Sequence, residues 1–149
     1  EDYMIEVGGE VRTQGRNASG QPWQIGVEEP DAMPPRARAV VPLSGRAMAT
    51  SGDYRIYFEQ GGRRYSHEID PATRAPVTGP LASVTVVGSD CAWADAMATA
   101  LFVMGAARGL DFASRRGIAA CFIERLPDRR LADRQTPAFA ALGAERVSA

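Results

Sequence analysis

Residues 92–107 constrain the fold more than any other part of the chain. They read Ala92-Trp93-Ala94-Asp95-Ala96-Met97-Ala98-Thr99-Ala100-Leu101-Phe102-Val103-Met104-Gly105-Ala106-Ala107, mostly residues that favour a helix. Ser89-Asp90 just upstream is a helix-start signal, and Gly109 is the expected stop. So apolar a helix must lie against a sheet, and the rest of the chain is written in short β-prone runs.

Strands are expected at 3–7, ending at Gly8-Gly9, and at 24–27, with Asn17-Ala18-Ser19-Gly20 as the turn of a hairpin between them. Residues 39–43 and 46–50 are two more candidates, after a loop rich in Pro and Arg. The clearest hairpin runs 54–59, then Gln60-Gly61-Gly62, then 63–67, because the paired glycines supply the positive φ of a tight loop. Asp70-Pro71-Ala72-Thr73 reads as a turn and 83–87 as a strand. Residues 111–116 suit a short helix and 119–123 a strand, whereas the tail after Pro127 is polar, then rich in Ala, and patterns weakly. The architecture predicted is α+β: antiparallel strands, one long buried helix and a closing βαβ-like unit.

At 149 residues the chain is the size of one domain with a real core, and its composition (45% hydrophobic, 23% charged) is ordinary for a globular protein. A net charge of −1 gives no bulk attraction to nucleic acid or to an anionic membrane. All seventeen basic residues are Arg, which removes Lys from the catalytic candidates. Cys91 and Cys121 are too few for a metal framework and read as two small semi-buried residues or a disulfide. No apolar run approaches the ~18 residues of a membrane span.

Asp95 needs an explanation, because a carboxylate near the start of so apolar a helix is costly to bury unpaired. It favours the positive end of the helix dipole, pairs with an Arg, or binds a hard cation. Asp95 and Thr99 are four residues apart, so their oxygens share one helix face. His67 is the only histidine, either an ordinary polar residue or a group that moves a proton near neutral pH. Gly8-Gly9-Glu10 lets a ligand approach the backbone, and Thr50-Ser51-Gly52-Asp53-Tyr54 is a polar patch between strands or a plain loop. The aromatic residues, Trp23, Tyr57, Phe58 and Trp93 among them, suit the core better than a stacking site.

Five motifs in order resemble the C-terminal half of ApbE-type flavin transferases. They are Glu6-Val7-Gly8-Gly9-Glu10-Val11; Trp23-Gln24-Ile25-Gly26-Val27-Glu28-Glu29-Pro30; Ala49-Thr50-Ser51-Gly52-Asp53-Tyr54; Tyr65-Ser66-His67-Glu68-Ile69-Asp70-Pro71; and residues 94–105. The likeness covers residues 3–110. It implies a transferase that moves the FMN half of FAD to a Thr hydroxyl on an acceptor flavoprotein, releasing AMP, with Mg²⁺ as cofactor. Some members instead hydrolyse FAD to FMN and AMP, and a piece without turnover, binding flavin or serving structure, is the third alternative. By position, Asp95, Thr99 and the Ala98 carbonyl would hold the metal. His67 would serve as base beside the pyrophosphate, and Gly9, Glu10, Thr50, Ser51 and Ile69 would join it in lining the FAD site.

The chain departs from the family pattern after the histidine. Asp-Pro-Arg-Thr-Gly is usual there, whereas Asp70-Pro71-Ala72-Thr73-Arg74 stands here, and Glu68 occupies a position that is commonly apolar. The resemblance also implies a missing N-terminal half, which in the family carries a metal-ligating carbonyl, a Lys and other FAD contacts. It implies a periplasmic address, or one on the outer face of the inner membrane, with a lipid anchor encoded outside this chain. The expectation for residues 1–149 alone is weak FAD binding or none, and fluorescence quenching of FAD by this chain at low micromolar concentration would overturn it.

Overall fold

The computed structural model describes residues 1–147; residues 148 and 149, the end of the weakly patterned tail, lie outside them. The chain opens with β1 (Tyr3–Val7), β2 (Glu10–Gln14), β3 (Trp23–Glu28), β4 (Ala37–Leu43) and β5 (Ala47–Gly52). A ribbon region follows, with β6 (Tyr57–Gln60), β7 (Arg63–Ser66), β8 (Ile69–Asp70) and β9 (Ala75–Pro76). Next come β10 (Leu81–Gly88), α1 (Cys91–Met104), α2 (Ala106–Arg115) and β11 (Ala119–Arg125). The chain closes with β12 (Leu131–Gln135), α3 (Pro137–Ala140) and β13 (Glu145–Arg146).

A six-stranded antiparallel sheet in the order β1-β2-β5-β10-β11-β12 forms the middle layer. The helices α1 and α2 cover one face, where Ala49, Val84, Val86 and Phe122 meet Ala94, Ala98, Leu101, Phe102 and Ala113. A smaller sheet, β13-β4-β3, covers the other, bringing Ile25, Val27, Val41 and Leu43 onto Met48, Val87, Cys121 and Ile123, with Phe139 of α3 beside them. Alternation explains the sandwich: on β10, Val84 and Val86 point to the helices while Val87 points to the small sheet. A fully buried Val, Leu or Phe contributes roughly 1.5–3 kcal/mol, so these two clusters hold the three layers together.

The mixed, largely antiparallel fold matches the expectation, with several local corrections. Gly8 and Gly9, at φ 67° and 111°, turn β1 directly into a hairpin with β2. The expected partner at 24–27 belongs to the small sheet, and β2 was hidden because its inward face shows only Val11 and Thr13. The strands flanking the helices, β10 and β11, are antiparallel neighbours, so the closing βαβ-like unit is a strand–helix–helix–strand excursion and no parallel crossover. Thr50-Ser51-Gly52 finish β5 instead of forming a loop. Trp93, Tyr57 and Phe58 are exposed, with Phe58 stacked on Tyr65 across the β6–β7 hairpin. Both cysteines are free, and burial pushes the Cys121 thiol up to about 12.

The expected single helix over 92–107 is two helices. Gly105, at φ 77°, breaks it after Met104, and the short helix expected at 111–116 is the end of α2. Gly109 is no stop. It lies buried inside α2, where an added Cβ would sit 2.9 Å from the Leu101 carbonyl oxygen and 2.9 Å from the Phe122 ring. Helix propensity alone favours Ala over Gly by about 1 kcal/mol, whereas overpacking against a backbone oxygen costs about 1–3 kcal/mol. Gly109→Ala is therefore expected to lose about 1 kcal/mol, lowering the urea midpoint; a raised midpoint would show that α2 lifts away freely.

Candidate functional site

Where β5, the start of α1 and the ribbon region converge, they enclose a cleft of about 220 Å³. Each wall has a local cause. Alternation on β5 sends Ala49 and Ser51 to the helix side and Met48 to the other. The Asp90 carboxylate caps α1 by accepting the Trp93 N–H at 3.0 Å, which sets the rotation of the first turns. Asp95 and Thr99 then face the cleft together, and the Ser51 and Thr99 hydroxyls lie 2.9 Å apart.

The opposite wall comes from residues 54–68. The backbone N–H of Ser66 donates to the Val77 carbonyl and that of Val77 to the Glu68 carbonyl, joining this segment to Val77, which packs against the core under α1. His67 Nδ1 lies 3.0 Å from the Ile56 carbonyl oxygen. A carbonyl only accepts, so Nδ1 is the donor in this contact, and in the neutral ring the lone pair then falls on Nε2. The Glu68 Oε1 lies 3.8 Å from that Nε2, on a side chain that is only 8% exposed. Burial raises the Glu68 carboxyl above the usual range; His67 opposes the shift, the Asp95 charge adds to it, and a hydrogen bond from Ser51 opposes it.

Of the residues singled out in the sequence, Glu10, Thr50, Ser51, His67, Asp95 and Thr99 line this one cleft. Three do not. Gly9 donates its N–H to Glu6 Oε1 at 2.7 Å while its neighbours Gly8 and Glu10 face the cleft. Ile69 is 53% exposed in β8, and the Ala98 side chain is wholly buried in the core between α1 and the sheet. The Thr50 hydroxyl is committed to Thr85 at 2.8 Å across the β5–β10 pair. Sequence reasoning missed Glu68 as a site residue, because its burial with Ser66, while His67 between them stays exposed, is set by the fold and not by the pattern of residue types.

The donor set suits a hard cation. Asp95 has no ion-pair partner among the described residues, and the oxygens near it belong to Thr99, Ser51 and Glu68. Among the described residues no three His, Cys, Asp or Glu side chains gather closely enough to hold an ion alone. That pattern fits Mg²⁺, which takes one or two carboxylates and completes its shell with water and substrate phosphates.

Comparison with known proteins bears on the same region. A model of the ApbE family matches residues 1–122. The FAD:protein FMN transferase of Haemophilus influenzae is 43% identical over 143 residues, covering 95% of this chain and 41% of the relative. Among solved structures, the Pseudomonas stutzeri flavinyl transferase ApbE, in its apo form, superposes with a TM-score of 0.82 at 42% identity, over 95% of this chain and 43% of the other. The apbe protein from Thermotoga maritima gives 0.79 at 32% identity, over 98% and 45%. The chain thus spans less than half the length of the relatives it matches.

The raised Glu68 carboxyl has a stability consequence with a definite sign. A folded-state value above the unfolded one means that the folded form holds the proton more tightly, so this contribution to stability is present below about pH 4.5 and is lost as pH rises. Glu68→Gln should stabilise the chain at pH 7 and make little difference at pH 4. Urea midpoints at the two pH values check this; equal midpoints at pH 7 would remove the burial argument.

Proposed function

Because this chain belongs to the ApbE family, we propose that the protein it forms part of transfers FMN from FAD to a Thr hydroxyl of an acceptor flavoprotein, releasing AMP. The observation that carries the reading is the meeting of the Asp95, Thr99 and Ser51 oxygens with the His67 imidazole in one cleft. In the reaction, the Thr oxygen bonds to the FMN-side phosphorus and the bond to the bridging oxygen breaks. AMP leaves with that oxygen, and the hydroxyl proton needs an acceptor as attack proceeds.

His67 is the group placed to take it. The Ile56 carbonyl holds Nδ1–H, which orients the ring and leaves Nε2 as the base, and the Glu68 carboxylate beside it favours the imidazolium that forms. Bound Mg²⁺ would offset charge on the non-bridging phosphate oxygens, with the Asp95 carboxylate, the Thr99 hydroxyl and the Ala98 carbonyl as its protein ligands. Glu10, Thr50, Ser51 and His67 line the FAD side of the cleft in this reading, and Gly9 and Ile69 flank it. The other contacts lie in the part of the protein outside this chain. A periplasmic address, or one on the outer face of the inner membrane, belongs to the same reading and rests on the resemblance alone.

Full-length protein incubated with FAD, Mg²⁺ and an acceptor bearing the target Thr is expected to leave covalent flavin on the acceptor and free AMP. Free FMN with no modified acceptor would make the protein an FAD pyrophosphatase instead. His67→Ala should lower the transfer rate by about 10²–10⁴-fold. Asp95→Ala should abolish Mg²⁺-dependent turnover, and retained activity would overturn the metal assignment.

A further inference from the structure

A larger open groove of about 810 Å³ shares Asp31 with the Arg125 ion-pair cluster and no lining residue with the cleft. Its walls come from three separate segments: residues 29–38, the β11–β12 turn with Leu131, and Arg146-Val147. Five guanidinium groups line it, from Arg36, Arg38, Arg129, Arg130 and Arg146, against the carboxylates of Glu29 and Asp31. The Asp31 charge is already taken by Arg64 and Arg125, which do not line the groove. Glu29 pairs with Arg36, Asp133 with Arg38 and Arg146, and Asp128 with Arg130, so Arg129 is the lining guanidinium left without an ion-pair partner among the described residues.

Arg38, only 7% exposed, forms a fixed floor, bonded to Asp133 at 2.6 Å and to the Leu131 carbonyl at 3.0 Å. Arg129 is the opposite case. It has φ 65°, at the end of a tight turn in which its N–H donates to the Leu126 carbonyl and the Leu126 N–H donates to that of Arg130. Glycine takes that conformation without cost, whereas a side chain there costs on the order of 1–2 kcal/mol. The Arg129 guanidinium has no ion-pair partner among the described residues, so no internal contact offsets that cost. Asp31, another non-glycine residue with positive φ, lines the same groove. Strain of this kind persists where a side chain has work to do.

We propose that this groove binds a phosphate-bearing small molecule, with Arg129 as its unpaired contact and Arg130, held by Asp128 at 2.6 Å, beside it. Donors arriving from three walls match the tetrahedral spread of phosphate oxygens, whereas a planar carboxylate offers only two oxygens in one plane. The volume lies within the range of small-ligand sites. The site is separate from the flavin cleft and does not rest on the transferase reading.

Inorganic pyrophosphate is the probe, titrated calorimetrically into the full-length protein with saturating FAD and no divalent cation. Saturable binding is expected in the natural protein, weakened about tenfold or more in Arg129→Gly and partly retained in Arg129→Lys. The glycine variant also relieves the backbone, so its thermal midpoint should hold or rise, separating lost binding from lost folding. AMP release from FAD, measured on the same proteins in a separate assay with Mg²⁺ and acceptor present, should be unchanged by Arg129→Gly and reports on the transferase reading independently. Absence of saturable heat, equal binding by Arg129→Gly, or citrate binding as tightly as pyrophosphate would each overturn the proposal.

Discussion

Ala94 and Ala98 carry the constraint on which the rest of the structure depends. Both are wholly buried, and with a single methyl group each they let α1 lie close against β5 and β10. That closeness brings the Thr99 hydroxyl to 2.9 Å from Ser51 and turns Asp95, one helical turn earlier, toward the same cleft. The site is therefore set by core packing: a larger side chain at either alanine would move the oxygens as well as the helix.

The second wall is held differently. Residues 54–77 lie outside the six-stranded sheet and, besides the Ser66–Val77–Glu68 backbone bonds and the packing of Val77, are tied to the body of the chain by charge. Arg125 grips Asp53 at 2.7 Å and Asp31 at 2.6 Å, and Arg64 closes the cluster onto Asp31 at 2.8 Å. Asp53 is buried, so losing its Arg partner would strand a charge, a loss on the order of 3–5 kcal/mol. Nearby, Glu28 holds Arg55 at 2.6 Å on the rim of the cleft. One side of the site is thus rigid through apolar packing, and the other is fixed by paired ions that link distant segments.

Legibility in the sequence follows the same division. The helix over residues 91–104, the β10 strand and the β6–β7 hairpin announce themselves through propensity, apolar runs and paired glycines. The same-face pair Asp95 and Thr99 follows from helical spacing alone. Harder to read was anything decided at a distance. Gly109 looks like a stop until the Phe122 ring is seen against it, and β2 shows too little apolar pattern to declare itself. Glu68 becomes a site residue only when Ser66, Val77 and His67 fold around it. His67 had no spacing to recommend it; its Nδ1 contact with the Ile56 carbonyl, eleven residues away, supplies the physical reason.

The two cysteines differ in how their surroundings hold the sulfur. Cys121 sits between sheet layers with its proton held tightly, and Cys91 rests against the Val11 carbonyl at 3.5 Å. Neither is joined to the other. Nucleophilic sulfur requires a thiolate, and a thiol near 12 supplies almost none at neutral pH. Buried and protonated, the Cys121 sulfur is thus a poor partner for thiol–disulfide exchange, and its part in the core is that of a small apolar side chain.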